Sequence, residues 1–197
     1  MGTVITIVII AVILIVAGVA AYTWQRRRSD QLQQRFGPEY ERTVEESDDR
    51  RKAERELRQR EQRRAKLDVQ PLSTSSAEGY RQEWNALQQG FVDEPGNAVT
   101  EADYLVLRIM RESGYPVDEF DQRVDDISVD HPEVAQNYRQ AHRVAVAQKR
   151  GQADTEELRQ AVTAYRRLVD VLLVVPGPDG DDRDSRHRGP TQAKEQS

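Results

Sequence analysis

The segment from Val4 to Tyr22 reads VITIVIIAVILIVAGVAAY and contains no charged side chain. As an α-helix, these residues would span about 28 Å, which is close to the thickness of the hydrocarbon core of a bilayer. The chain after Gln25 is strongly polar, so this single segment determines where the rest of the protein is expected to lie. We therefore predict an N-terminal transmembrane helix that serves as an anchor over residues 1–24.

The residues that follow the apolar core indicate the orientation of the anchor. Tyr22 and Trp24 stand where aromatic side chains favour the membrane–water interface, and Arg26, Arg27 and Arg28 follow in the headgroup zone. Because positive charge is retained in the cytoplasm, the pattern predicts a single-pass protein of the cell membrane with its N-terminus outside and residues 25–197 cytoplasmic. The lipid bilayer is therefore the first partner that we expect.

A cleavable signal peptide is the alternative for the same segment. The small residues Gly18-Val19-Ala20 could form a cleavage site, and cleavage there would lead to secretion. However, the preceding Met1-Gly2-Thr3 lacks the positive charge of a signal peptide, and the apolar core exceeds the roughly 7–15 residues of a typical one. These features favour the uncleaved anchor.

Composition limits the chemistry that the chain can perform. Its 197 residues include no Cys and three His, which excludes disulfides, thiolate catalysis and Cys-based metal sites. Residues 70–175 carry 11 basic and 18 acidic side chains, so their net charge is −7. An acidic domain argues against nucleic acid as a partner. No cofactor motif is present, and we expect no cofactor, no metal site and no catalytic residue.

The segment from Glu39 to Asp68 is dominated by charge, with 20 charged residues among 30. Pairs such as Glu46/Arg50 and Glu54/Arg58 place an acid four residues before a base, which supports an exposed helix. One interpretation is a coiled-coil or polybasic recruitment arm; the other is a long charged helix that acts as a solvated spacer. We favour the spacer for residues 25–72, because no heptad is maintained, and it would extend up to about 45 Å.

Residues 73–175 show the pattern of a small C-terminal five-helix bundle, so the predicted fold is all-α. Capping boxes at Ser75/Glu78 and Asp154/Glu157 predict two helix starts, and Gly114 predicts a helix end. Apolar side chains recur at helical spacing, as in Tyr80, Trp84, Leu87, Phe91; Val99, Ala102, Val106, Ile109; Phe120, Val124, Ile127; Val134, Tyr138, Ala141, Ala145; and Leu158, Ala161, Tyr165, Leu168. Residues 176–197 are predicted to be a disordered tail.

Three polar residues are the candidates for a functional site. Asp130 and His131 lie in an acidic stretch, which is compatible with a metal or acid–base site, and His142 follows about three helical turns later. The alternative is structural: Asp130 would be the N-cap of a helix, with Pro132 in its first turn and Glu133 completing a capping box. We favour the structural role, because carboxylates are stabilised by the positive end of a helix. The two histidines would also lie about 16 Å apart, which is too far to share a metal ion.

Several short motifs resemble an uncharacterised family of single-pass, actinobacterial-type membrane-anchored proteins. The residues that carry the resemblance are Arg35-Phe36-Gly37-Pro38-Glu39-Tyr40, Phe91-Val92-Asp93, Gly114-Tyr115-Pro116, Val129-Asp130-His131-Pro132, Tyr138-Arg139 and Thr155-Glu156-Glu157-Leu158-Arg159. They cover most of the segment expected in the cytoplasm. The resemblance implies the same architecture and no known activity.

Together these patterns predict a membrane-tethered, non-catalytic helical interaction module that recruits or positions a protein partner. The alternative is a membrane-anchored enzyme or metal-dependent sensor that uses the region of Asp130 and His131. Geometry separates the two, because an enzyme needs a concave pocket with convergent polar groups. An interaction module needs an exposed apolar patch or groove.

Overall fold

The computed structural model describes residues 2–174, except for the side chains of residues 3–9, 11, 12, 14 and 21. The described part is all-α, which confirms the predicted class, and it contains no strand. Its helices are α1 (Gly2–Phe36), α2 (Pro38–Ser47), α3 (Arg50–Arg64), α4 (Thr74–Gly90), α5 (Pro95–Glu112), α6 (Phe120–Asp130), α7 (Pro132–Lys149) and α8 (Thr155–Leu172). The predicted disordered tail, residues 176–197, lies outside the described residues.

The predicted anchor falls within α1. No helix in the described part of the chain combines the length and the apolar character that a membrane span requires. The side chains of residues 3–9, 11, 12, 14 and 21, all of which belong to the predicted anchor, lie outside the described residues.

The five predicted bundle helices are confirmed as α4 to α8. Helix α8 packs against α5 and α7, while α6 packs on α7 and α4 on α5. Most of the largest fully buried side chains of this core lie on the three central helices, α5, α7 and α8, and α6 adds Ile127. Those on the central helices include Ile109, Met110, Tyr138, Tyr165 and Leu168. Each such side chain contributes about 1.5–3 kcal/mol through its removal from water, so the apolar stripes hold the bundle together.

The helix ends show which of the capping predictions were correct. Asp154 accepts the backbone N–H of Glu157 and the Glu157 carboxylate accepts that of Asp154, which confirms the capping box of α8. The box predicted at Ser75 is wrong. Helix α4 begins earlier, at Thr74, and Ser73 has the extended backbone of an N-cap and accepts the N–H of Ser76 at 3.1 Å.

Gly114 ends α5 as predicted. Its φ of +90° lies in the region that favours glycine, and a Cβ there would meet the carbonyl oxygen of Asp68 at 2.3 Å. The Tyr115 N–H donates to the Met110 carbonyl, and the Gly114 N–H donates to the Arg111 carbonyl. The turn at Gly114 therefore satisfies two carbonyls at the end of α5. Tyr115 folds back and is buried.

The prediction of one long charged helix is wrong, because the segment forms two helices. Asp48 ends α2 in the left-handed region, with a φ of +51°, and Asp49 caps α3 by accepting the Arg51 N–H at 2.8 Å. Short acidic side chains favour such ends because they compete with the helix for backbone donors.

The two charged helices pack against the rest of the chain instead of extending away from it. Helix α3 contacts α2 and α6, and α2 contacts α7. A small apolar cluster joins these helices to the end of α1 and consists of Leu32, Phe36, Tyr40, Leu57 and Val129. The interpretation as a solvated spacer is therefore wrong; the division of domains at residue 72 stays a prediction.

Much of the charge on these helices points inward. The Glu39 carboxylate on α2 is 1% exposed and accepts hydrogen bonds from both terminal nitrogens of Arg139 on α7, at 2.5 and 2.9 Å. On α3, Arg60 lies 3.0 Å from Asp125 and Arg63 donates to Asp126 at 2.9 Å, both acids belonging to α6. Helical spacing correctly predicted the pair Glu54/Arg58, at 3.7 Å, but not these long-range pairs. The predicted pair Glu46/Arg50 is wrong, because the two residues lie on different helices and Glu46 pairs with Arg42.

A second polar cluster fixes the end of α1. The Glu54 carboxylate on α3 accepts hydrogen bonds from Ser29, from the Tyr40 hydroxyl at 3.0 Å and from Arg50 at 3.1 Å. Burial alone would raise the pKa of Glu54, but these donors outweigh it and hold the pKa below its usual value. Helix α1 is therefore held to α2 and α3 by a charged group as well as by apolar contact.

Replacement of Glu54 by Gln should lower the free energy of unfolding by about 1.5–3 kcal/mol, since the acceptor of three hydrogen bonds loses its charge. Glu45→Gln, at an exposed position of α2, is the matched control and should change it by less than about 0.5 kcal/mol. Urea unfolding of the full chain, followed by circular dichroism, measures both. Equal effects would contradict the buried role of Glu54.

The depressed pKa values also predict acid sensitivity. Burial raises the pKa of Glu39, but Arg139 and Arg42 outweigh it, so that the pKa lies below 4.5, as it does for Glu54. A carboxyl whose pKa is lowered on folding contributes its stability above the unfolded value and loses it as the pH falls through the folded one. The free energy of unfolding should therefore decrease below about pH 4.5, and less steeply in Glu54→Gln. A free energy of unfolding that stays constant down to about pH 3 would refute the lowered pKa values of Glu39 and Glu54.

Candidate functional site

Asp130 does not have the capping role predicted for it. Asp130 is the last residue of α6, so its backbone is helical, whereas an N-cap residue has a non-helical backbone. His131 occupies the junction with α7 instead. The Asp130 carboxylate accepts hydrogen bonds from Arg64 and from the Tyr115 hydroxyl, both at 2.5 Å. Burial and this carboxylate raise the pKa of Tyr115, so the phenol stays protonated and donates. Asp130 thus connects α3, α6 and the end of α5.

His131 lies at the junction of α6 and α7 and is partly exposed. Its Nδ1 lies 3.6 Å from the Glu133 carboxylate, which is beyond hydrogen-bond distance. Among residues 2–174, no group of three or more His, Cys, Asp or Glu side chains is placed to hold a metal ion. Asp130 and His131 both line one cleft, which has a volume of about 290 Å³ and also includes Tyr115 and Arg64. Their side chains nevertheless have separate contacts, and the Asp130 carboxylate is taken up by Arg64 and Tyr115.

His142 belongs to a different cluster, centred on Asp103. The Asp103 Oδ1 lies 3.1 Å from His142 Nδ1 on α7 and accepts the Tyr165 hydroxyl of α8 at 2.8 Å. Lys149 lies 3.7 Å from the other carboxylate oxygen, and the ring of Phe120 stacks on His142 at 3.9 Å. The cluster therefore joins the three central helices of the bundle through one buried carboxylate.

The charge of Asp103 is stabilised by these neighbours. Burial would raise the pKa of Asp103, but the hydrogen bonds and the charges of His142 and the other partners outweigh it and lower the pKa. The sequence reasoning missed Asp103, although a signal was present: an acid stands within the apolar stripe of α5, between Ala102 and Val106. A buried, fully paired carboxylate of this kind supports the packing of the bundle.

One concave surface that combines apolar and polar lining residues lies between α4 and α5. This groove has a volume of about 830 Å³ and is lined by Glu83, Ala86, Leu87, Gly90, Asp93, Glu94, Asn97, Ala98, Glu101, Tyr104, Leu105 and Arg108. Its floor is apolar, because Leu87, Ala98 and Leu105 are buried or half-buried there. Its walls are polar and exposed. The groove is therefore open to a ligand that brings both apolar and polar groups.

Four acids and one base line the groove. Arg108 pairs with Glu83 across the two helices, while Asp93, Glu94 and Glu101 have no ion-pair partner within the described residues. Such uncompensated negative charge raises the local concentration of cations. The groove therefore differs from the clusters around Asp103 and Asp130, whose carboxylates already have partners inside the protein.

The sequence reasoning did not identify the groove, although part of its signal can be read from the helix pattern. Leu87 was assigned to the core stripe, but Ala86 and Gly90 lie beside it, where small residues leave space. The second wall comes from Glu101 and Tyr104, on the exposed side of α5. Which sides of two helices face each other depends on their packing, and periodicity in one helix does not provide that.

The residues predicted at the membrane interface lie on α1 and are exposed. Tyr22 and Trp24 expose 65% and 64% of their surface, and the guanidinium of Arg28 lies 5.2 Å from the centre of the Trp24 ring. Arg26 and Arg27 are also exposed. No packing within the described residues accounts for these aromatic side chains, so their contact with lipid remains a prediction.

Comparison with known protein families, with curated proteins and with solved structures finds no match to this chain. The resemblance to a single-pass family stays a prediction.

Replacement of Asp103 by Asn should lower the free energy of unfolding by about 1–3 kcal/mol, because the Tyr165 hydroxyl and His142 lose a charged acceptor inside the bundle. Glu101→Gln changes the same kind of group two residues earlier, at an exposed position, and should leave stability within about 0.5 kcal/mol. Thermal and urea unfolding of the two variants provide the measurement. An Asp103→Asn variant as stable as wild type would show that the cluster does not support the fold.

Proposed function

We propose that the chain is a membrane-tethered, non-catalytic interaction module. Its N-terminal segment, residues 1–24, would hold α1 in the cell membrane with the N-terminus outside. The bundle on the cytoplasmic side would then recruit or position a protein partner. The observation that carries the proposal is the open groove between α4 and α5, with its apolar floor and exposed charged walls.

The path of α1 supports a tether of this kind. The helix runs without interruption from Gly2 to Phe36, and its residues Ser29, Leu32 and Phe36 are buried against α2, α3 and α6. An anchor in its first part would therefore place the bundle directly at the membrane face. Arg26, Arg27 and Arg28 would lie between the two and contact anionic headgroups.

The competing proposal, an enzyme or metal-dependent sensor at Asp130 and His131, has less support. The Asp130 Oδ2 already accepts hydrogen bonds from Arg64 on α3 and from Tyr115, which follows the end of α5. The groove lies on other helices and shares no residue with this region. We therefore assign recruitment of a partner, and no reaction, to the bundle.

The topology can be tested by fusing reporters after Ser197. A cytoplasmic reporter such as β-galactosidase should be active there, and alkaline phosphatase, which needs an oxidising compartment, should be inactive. The chain should remain in the membrane fraction and keep its first residues. Active alkaline phosphatase, or a mature protein that begins at Ala21, would instead establish secretion after cleavage.

Recruitment can be tested by proximity labelling from a biotin ligase fused after Ser197. The variant Ala86→Trp fills the groove from its α4 wall, while Gln89→Trp places the same ring on a part of α4 outside the groove lining. The main labelled protein should disappear in Ala86→Trp and persist in Gln89→Trp, with equal thermal midpoints. The same labelling in both variants would refute recruitment through this groove.

A further inference from the structure

We propose that the groove between α4 and α5 receives a basic amphipathic helix of the partner protein. The inference rests on the proposed function and specifies the chemistry of the partner. Apolar residues of the incoming helix would contact Leu87, which is half-buried, and the exposed Ala86 beside it. Lysine and arginine side chains on both flanks of that helix would contact the acidic walls.

The shape of the groove favours a helix over a small molecule. Of its 12 lining residues, nine are exposed, so the groove is open along its length and does not enclose a ligand. The α5 wall runs from Asn97 to Arg108, which is about 16 Å along a helix axis, or three turns. Ala86, Gly90 and Ala98 are small, which allows another backbone to approach closely.

The charge of the groove determines which helix fits. Its lining has a net charge of −3, from four acids and one base, and Arg108 is already paired with Glu83. A basic partner would pair with Asp93, Glu94 and Glu101, whereas an acidic one would be repelled. Since these walls are exposed, the charges would mainly set specificity and association rate, and the apolar floor would contribute affinity.

Tyr104 provides an aromatic contact at one edge. Its side chain is half-exposed, and Lys149 of α7 lies 5.1 Å from the centre of its ring while also approaching Asp103. Lys149 is itself exposed and leaves part of the Tyr104 ring open to solvent. That exposed part offers a contact surface for an apolar side chain of the partner.

Neither a second copy of the chain nor its own C-terminal segment matches the groove as well. A symmetric dimer through this face would bring two acidic surfaces together, which electrostatic repulsion disfavours. Residues 175–197 carry four basic and five acidic side chains, so their net charge is −1 and does not complement the groove. A basic segment of another protein is the occupant with opposite charge.

The test uses the full chain in nanodiscs of zwitterionic lipid and two synthetic peptides. One is a 14-residue helical peptide of about four turns, with a leucine stripe and lysines on its flanks; the other has glutamate in place of every lysine. Fluorescence anisotropy measures the Kd of each peptide, with empty nanodiscs as the background. The lysine peptide should bind at least about tenfold more tightly than the glutamate peptide.

Two pairs of variants place the binding in the groove. Ala86→Trp should weaken binding of the lysine peptide about tenfold or more, and Gln89→Trp should not. Glu101→Lys should weaken it by a similar factor, while Glu78→Lys, an equal change of charge on an exposed residue of α4 outside the groove, should leave it nearly unchanged. Added salt should reduce the difference between the two peptides.

The outcomes separate this inference from the proposed function. Equal or tighter binding of the glutamate peptide, blocked by Ala86→Trp, would overturn the basic partner and leave a recruiting groove in place. If Ala86→Trp changes neither peptide binding nor proximity labelling, both the basic partner and recruitment through the groove are overturned. A dimer that Ala86→Trp dissociates would assign the groove to a second copy, and peptide binding that appears only after removal of residues 175–197 would assign it to that segment. Either result overturns the basic partner.

Discussion

The position of the charged helices depends on the buried carboxylate of Glu39. A carboxylate at this depth is unfavourable unless positive groups surround it, and Arg139 supplies two hydrogen bonds from a helix that lies 100 positions away in the chain. Arg42 and Arg60 lie 3.3 and 3.8 Å from the same carboxylate. Because Arg139 belongs to α7, this pairing fixes α2 against the bundle. The contacts of α3 with Asp125, Asp126 and Asp130 then extend the interface over α6.

This interface links the proposed anchor to the proposed binding groove. The end of α1 is held by Glu54 and by the apolar cluster around Phe36, so the helix and the bundle form one continuous structure. The groove lies on α4 and α5, whereas α1, α2 and α3 pack on α6 and α7. Attachment to the membrane would therefore leave the groove uncovered by the charged helices, as recruitment of a partner requires.

The sequence predicts the bundle well because its helices obey local rules. Apolar residues at helical spacing, the Asp154/Glu157 box and the reversal at Gly114 each act within a few residues, and each is found in the structure. The prediction for the charged segment was wrong because the partners of Glu39, Arg60 and Arg63 lie on distant helices. From the sequence alone, a buried and paired charged residue cannot be distinguished from a solvent-exposed one. Asp130 was misread for a similar reason: α6 continues to it, and Arg64 binds it from α3. The groove depends on how α4 and α5 face each other.

A double-mutant cycle between Glu39 and Arg139 tests the central claim most directly. The free energy of unfolding is measured for the full chain, Glu39→Gln, Arg139→Gln and the double variant, with the exposed pair Glu156/Arg159 of α8 as the control. The account predicts a coupling energy of about 1–3 kcal/mol between Glu39 and Arg139, against about 0.2–0.5 kcal/mol for the control pair. Additive and nearly neutral effects at Glu39 and Arg139 would contradict it, and would show that the charged helices are solvated and separate from the bundle.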